Sequence, residues 1–271
     1  MKRYYLAARD VGNLTRIMCA AMEMDFRQRR TRWREEFGSG QQFGPFTIRA
    51  GRINLDPLLM FREDPLRMLT LFELALEQNA DIHPHALQRL TRGLPALGNA
   101  TRTNPQASEK FINILTSKRN PERVLRLMNE SGVLGRYMPD FGRIVAMMQF
   151  DMYHSYTVDE HTIQVIGILH DIESGKLAET APVATEVMPE IESRRALFVA
   201  ALLHDMAKGR GGDHSILGAE LAIEMCPRLG LSPEETETVS WLVRHHLLMS
   251  KTAFRYDLND PKTIQDFTGL V

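Results

Sequence analysis

Apolar residues recur at helical spacing along most of the chain, and prolines mark where the runs begin. In "EDPLRMLTLFELALEQN", Leu66, Leu69, Phe72 and Leu76 fall three or four apart, the spacing of one helix face. Asp64 is expected as the N-cap and Pro65 as the first helical residue, a position with no intrahelical N–H bond to lose. "RNPERVLRLMNESG" repeats the device, with Asn120 as cap, Pro121 as opener and Gly132 as stop. Ser232, Pro233 and Glu235 spell a capping box at the head of "LSPEETETVSWLVRHHLLM". "LNDPKTIQDF" predicts one more helix, capped by Asp260 ahead of Pro261.

Strand patterning is confined to "GPFTIRAGRINL" (44–55), where Phe46, Ile48 and Ala50 alternate with polar residues before a turn-prone Gly51. A short hairpin is expected there. The polar stretches 98–109 and 173–190 read as boundaries, the second as a proline-containing loop between two helices. The predicted fold is mainly α, with a small β insertion near 44–55. The chain opens at once on helical pattern and stops two residues after Gly269 without a cap, so it is expected to be cut at both ends.

Composition narrows the classes. With 44% hydrophobic and 25% charged residues, the 271-residue chain reads as an ordinary globular protein of one large or two modest domains. A formal charge of −1 lacks the basic surplus of a general nucleic-acid binder. The arginine-rich run "DFRQRRTRWREEF" (25–37) reads as a solvated helix face. Cys19 and Cys226 lack metal-type spacing and are expected as small core residues in a reducing compartment. No stretch has the length of a bilayer span or the apolar core of a signal peptide, so a cytoplasmic protein without membrane contact is expected.

Candidate chemistry centres on "ALLHDMAKGRGGDHS" (201–215). An apolar run ends on His204–Asp205, and a cationic, glycine-rich loop follows. Imidazole and carboxylate are ligands for divalent cations such as Mg, Mn, Fe and Zn. One aspartate can bridge two ions, which would activate water and clamp a phosphoryl group. Lys208 and Arg210 supply charge for a substrate phosphate, while Gly209, Gly211 and Gly212 allow close backbone approach. Other ligands must come from other helices: His161 near one helix start, His214 in a first turn capped by Asp213, and His245 or His246 late in a third. The last two point about 100° apart, so at most one faces the ions. Asp260 is explained by capping, which leaves Asp257 as the better late carboxylate. His154 and the second doublet, His170–Asp171, read as core or surface groups. His83 and His85 flank a proline and belong to a turn.

His161, His204–Asp205 and Asp257 resemble the H…HD…D signature of the HD-domain metal-dependent phosphohydrolases, and His214 and His246 extend it to the six-ligand, two-metal form. The stretches "FGRIVAMMQFDMYHSYTVDEHT", "LLHDMAKGRGGDHS" and "MSKTAFRYDLNDP" are similar to the bifunctional uridylyltransferase/uridylyl-removing enzymes of the nitrogen-regulatory PII protein. "YYLAARDVGNLTRIMCAAM" and "ILTSKRNPERVLRLMNESGVLGRYMPDF" extend that similarity over nearly the whole chain. The resemblance implies a helical connector over 1–145 followed by an HD-type bundle over 146–271. It implies divalent metal, Mg or Mn, with room for two ions. His161, His204, Asp205 and Asp257 would hold one ion and Asp205, His214 and His246 the second, with Asp205 and Lys208 as the catalytic pair. The implied reaction removes UMP from a tyrosine of uridylylated PII. The family's N-terminal nucleotidyltransferase and C-terminal ACT domains would be missing. Two rivals stand beside this reading: an HD phosphohydrolase acting on a small nucleotide or alarmone, and a non-catalytic helical scaffold.

Overall fold

The structure is a computed structural model that describes residues 40–148 and 156–271, with 2–8, 11, 12, 14, 15, 18, 19 and 22 of the N-terminal region. The arginine-rich run 25–37 and His154 lie outside the described residues.

Helix α1 covers residues 2–8. Strands β1 (Gln41–Phe43), β2 (Phe46–Arg49) and β3 (Arg52–Leu55) form an antiparallel meander. The expected hairpin lies in it, with Phe46 opposite Leu55 and Ile48 opposite Ile53. Its two-residue turn is Ala50–Gly51, with φ of 50° and 74°, the left-handed pair that matches strand twist. Ala50 is therefore a turn residue, not the next position of the alternation. Helix α2 (Leu66–Glu77) buries Met68, Leu69, Phe72 and Leu76 and crosses over to β4 (Asp81–Ile82), which pairs parallel with β3. The helix starts one residue later than predicted. The Asp64 carboxylate takes Arg67 Nε at 2.9 Å, and no side-chain cap bond forms at this N-terminus.

Six short helices follow: α3 (Pro84–Gly93), α4 (Asn99–Arg102), α5 (Pro105–Leu115), α6 (Pro121–Glu130), α7 (Val133–Tyr137) and α8 (Pro139–Ile144). The stretch 98–109, read as a boundary, is largely helical. It holds α4 and the head of α5, whose cap Asn104 accepts the Gln106 N–H at 2.9 Å. The second half comprises α9 (Val158–Glu173), α10 (Pro182–Val187), α11 (Arg194–Leu203), α12 (His214–Arg228), α13 (Pro233–His245), α14 (Leu248–Arg255) and α15 (Pro261–Thr268). Helix α10 and a 3-10 turn at Met188–Glu190 occupy what was expected to be loop.

Helices α12 and α13 pack side by side, α11 lies against α13 and α9, and α6 lies against α9. A continuous apolar cluster from Phe46 and Phe72 through Tyr137 and Phe141 to Phe198 and Val243 joins the halves. Three capping signals predicted from sequence ahead of a proline hold, unlike that of Asp64: Asn120 accepts Arg123 N–H, Ser232 and Glu235 close both bonds of a capping box, and Asp260 accepts Lys262 N–H. Cys226 is buried, and burial pushes its thiol up to about 12. Cys19 is exposed rather than a core residue. Among the described residues no helix is long and apolar enough to cross a membrane.

Candidate metal centre

Helix α11 ends at Leu203, and His204 and Asp205 occupy the turn that follows. Asp205 is 2% exposed. Four rings from four elements converge on its carboxylate. His204 Nε2 and His161 Nε2 lie 3.2 and 3.8 Å from Oδ2. On the other side, His214 Nε2 and His246 Nε2 lie 3.6 and 3.8 Å from Oδ1. Two groups of potential ligand atoms result, His161–His204–Asp205 and Asp205–His214–His246, each within 4.8 Å internally and sharing Asp205.

Outer hydrogen bonds set the tautomers. His204 Nδ1 lies 2.8 Å from the Ala201 carbonyl, and His246 Nδ1 lies 2.6 Å from that of Val243. A carbonyl only accepts, so both Nδ1 atoms carry the proton and both neutral rings present a bare Nε2 lone pair inward. Burial lowers the His214 and His246 imidazoles, favouring their neutral forms. The His–Asp approaches of these two rings are thus lone pair against anion, not ion pairs. Asp205 Oδ1 and His214 Nε2 are buried without any hydrogen-bond partner. A cation between them would satisfy all of these atoms together, so the donor set fits divalent metal.

Burial pushes the Asp205 carboxyl up, but the Lys208 ammonium, which donates to it and lies beside it as a cation, is among the groups that outweigh burial and hold it well below the usual carboxylate range. Lys208, one turn on, brings Nζ to 2.7 Å from Oδ2. The glycine loop then turns away through left-handed backbone. At Gly209, with φ of 77°, a Cβ would stand 2.8 Å from Met147 Cε.

Not every predicted residue arrives. Arg210, expected near a substrate phosphate, places Nη2 2.5 Å from Asp140 Oδ1 on α8, so its charge is already matched. Asp257 is exposed and belongs to neither ligand group. Its Oδ1 accepts the Asn259 N–H at 2.9 Å in the turn between α14 and α15, two helices that bury no residue. Of the adjacent pair, His246 faces the cluster, while His245 packs against Trp241 with ring centroids 5.0 Å apart and planes tilted by 40°. His83 caps α3 by accepting His85 N–H, as a turn residue would. His170 and Asp171 take part in neither group. Asp159 was not singled out from the sequence, yet its carboxylate is buried two residues before His161. Its signal was present: positions 159, 163, 166 and 170 share one helix face, which put an acid on an apolar stripe.

Residues 46–137 match the uridylyltransferase GlnD third domain, and residues 174–267 match the HD domain. Over its full length the chain is 52% identical to the bifunctional uridylyltransferase/uridylyl-removing enzymes of Azospirillum brasilense and Rhodospirillum rubrum. Its whole length is thus similar to one stretch of these enzymes. The corresponding enzyme of Novosphingobium aromaticivorans is 50% identical, again over the whole chain. The chain spans 29–30% of the length of these family members. The HD match begins at residue 174, so His161 stands outside it although its ring meets the doublet.

Proposed function

We propose that this part of the uridylyltransferase/uridylyl-removing family is a metal-dependent phosphodiesterase that removes UMP from a uridylylated tyrosine of the PII protein. A connector over 1–145 would support an HD-type hydrolase domain over 146–271. The supporting observation is the buried Asp205 carboxylate with two imidazole Nε2 atoms on each oxygen.

When bound, a pair of divalent ions, Mg or Mn, supplies Lewis acidity and a water ionised near neutral pH. His161 and His204 would hold one ion, His214 and His246 the other, and Asp205 both. The Ala201 and Val243 carbonyls keep two of these rings turned inward, so little reorganisation accompanies loading. Lys208 is the cation beside the cluster that offsets charge on a bound phosphate. The net reaction consumes one water, breaks the bond from phosphorus to the tyrosyl oxygen, and releases UMP and the tyrosine hydroxyl. His161 and His214 keep 28% and 27% of their side chains exposed, which leaves the centre approachable by a tyrosine on a protein loop. The transferase half of the family name is assigned to none of these residues.

The test is Mn retention after desalting, together with UMP release from uridylylated PII, each measured for the wild-type chain and for His204→Ala. Bound Mn with release that His204→Ala abolishes is expected. Absence of Mn binding, or undiminished release by the variant, overturns the reading. Hydrolysis of ppGpp or a free dinucleotide, with no UMP release from PII, replaces the substrate and keeps the centre.

A further inference from the structure

Four rings meet at Asp205 only if four elements hold their register, and that of α9 is held in an unusual way. Its cap, Thr157, makes no side-chain cap bond. The first turn is instead tied down by Asp159, 3% exposed. Asp159 Oδ1 accepts the Ala146 backbone N–H at 3.1 Å, and Oδ2 accepts Asn129 Nδ2 at 2.9 Å. Both donors are neutral amides, so the carboxylate is held by dipoles, helped by the N–H groups at the head of α9.

Each donor belongs to something that matters. Ala146 sits at φ 55°, a left-handed position for a residue with a β-carbon, so this N–H is aimed by a strained turn. Its neighbour Met147 accepts the Val158 N–H at 2.9 Å and sets its methyl against Gly209, just past Lys208. Asn129, 1% exposed, lies on α6 within the matched third domain, whereas Asp159 lies in the interval between the two matched spans. Asp159 thus joins the connector, the turn behind the glycine loop and the helix turn that carries His161.

We propose that Asp159 is a positioning residue for the metal centre: through Ala146 and Asn129 it sets the register of α9 and so places His161 Nε2 beside Asp205. This inference rests on the metal centre proposed above. It also makes the connector's packing at Asn129 a determinant of metal affinity.

Calorimetric titration of the whole chain with Mn tests it. Asp159→Asn sets an amide donor against the Asn129 donor and should weaken Mn binding about tenfold. The swap Asn129→Asp with Asp159→Asn restores a donor–acceptor pair and should return the affinity to within twofold of wild type. In a His161→Ala background Asp159→Asn should change affinity less than twofold, because its effect passes through that ring. A residue that only supports the fold would lower the melting temperature, leave the Mn affinity within twofold, and act alike in both backgrounds; that result overturns the proposal. If Asp159→Asn does not fold, Asn129→Ala takes its place: weakening of twofold or more supports the proposal, and less overturns it. A wild-type chain that binds no Mn overturns the centre and this inference together, whereas binding that Asp159→Asn shares in full overturns the inference alone.

Discussion

The chain contains two His–Asp doublets of identical chemistry, and only one becomes a centre. At 204–205 the aspartate is buried and ringed by four imidazoles from separate elements. At 170–171 the histidine is buried alone at the end of α9, while the Asp171 carboxylate turns outward to Lys176 at 2.7 Å. The difference lies in position. The first doublet follows the end of α11, where α9, α12 and α13 can all reach it. The second lies nine residues beyond His161, about 13.5 Å along the same helix, where no other histidine among the described residues joins it in a ligand group. A doublet is therefore half of a site; the rest comes from the helices around it.

The largest expected contrast is in metal binding. Asp205→Asn should reduce Mn affinity on the order of 100-fold or more, since it removes the one ligand common to both groups. His170→Ala and Asp171→Asn should leave affinity within twofold. His170→Ala instead lowers stability by about 2 kcal/mol through loss of a buried ring. Calorimetry and urea melts on the same samples separate the two effects, and Mn binding lost in His170→Ala would erase the contrast.

The lysines beside the doublets differ next. Lys208 is 13% exposed against a carboxylate 3% exposed, whereas Lys176 and Asp171 are 61% and 39% exposed. Lys208→Met should destabilise the metal-free chain by about 2 kcal/mol, because it leaves a buried charge less compensated. Mn should recover most of this loss by taking the lysine's place. Lys176→Met should cost at most about 0.5 kcal/mol in a solvent-screened pair. Urea denaturation with and without Mn reads both.

Acid titration divides the histidines more finely. Burial lowers His170, His214 and His246 alike. The unfolded chain binds protons below about pH 6.5 while the folded rings stay neutral, so the stability they contribute is complete above that pH and falls as pH drops. Each ring adds at most about 1.4 kcal/mol per pH unit to the slope. Asp205, held low, loses its contribution only in the carboxylate range beneath. Mn should steepen the acid loss when His214 and His246 are present and leave the His170 share unchanged. An acid limb of the same slope with and without Mn would show that those two rings hold no ion.

What could be read in the sequence follows the reach of each interaction. Caps next to prolines were legible because Asn120, Ser232 and Asp260 bond within three residues. Asp64 shows the limit: it had the same signature, but Arg67 competes for its carboxylate. The pairing of β4 with β3 involves two residues brought back by α2, too short a run to pattern. At the centre, helix periodicity allowed only one of His245 and His246 to face the ions; the choice of His246 came from the family resemblance. The helix pattern could place Asp159 on a buried face but could not name its partner or that of Arg210, since Asn129 and Asp140 lie 30 and 70 positions away. Asp257 carried the right residue type in a turn that uses it locally.

Arg210 supplies the smallest and most discriminating contrast. Both side chains of its pair with Asp140 are 26% exposed, between the buried Lys208 pair and the open Lys176 pair, so Arg210→Ala should cost about 0.5–1 kcal/mol. Because that guanidinium is engaged on α8, Arg210→Ala should leave the KM for uridylylated PII within twofold, and Asp140→Ala should match it in stability. The double variant should lose no more than either single one, since both remove the same bond. A KM raised tenfold by Arg210→Ala but not by Asp140→Ala would mean that substrate draws the arginine off α8. Phosphate recognition beside the first doublet would then need two cations, where the second doublet has a single solvated lysine.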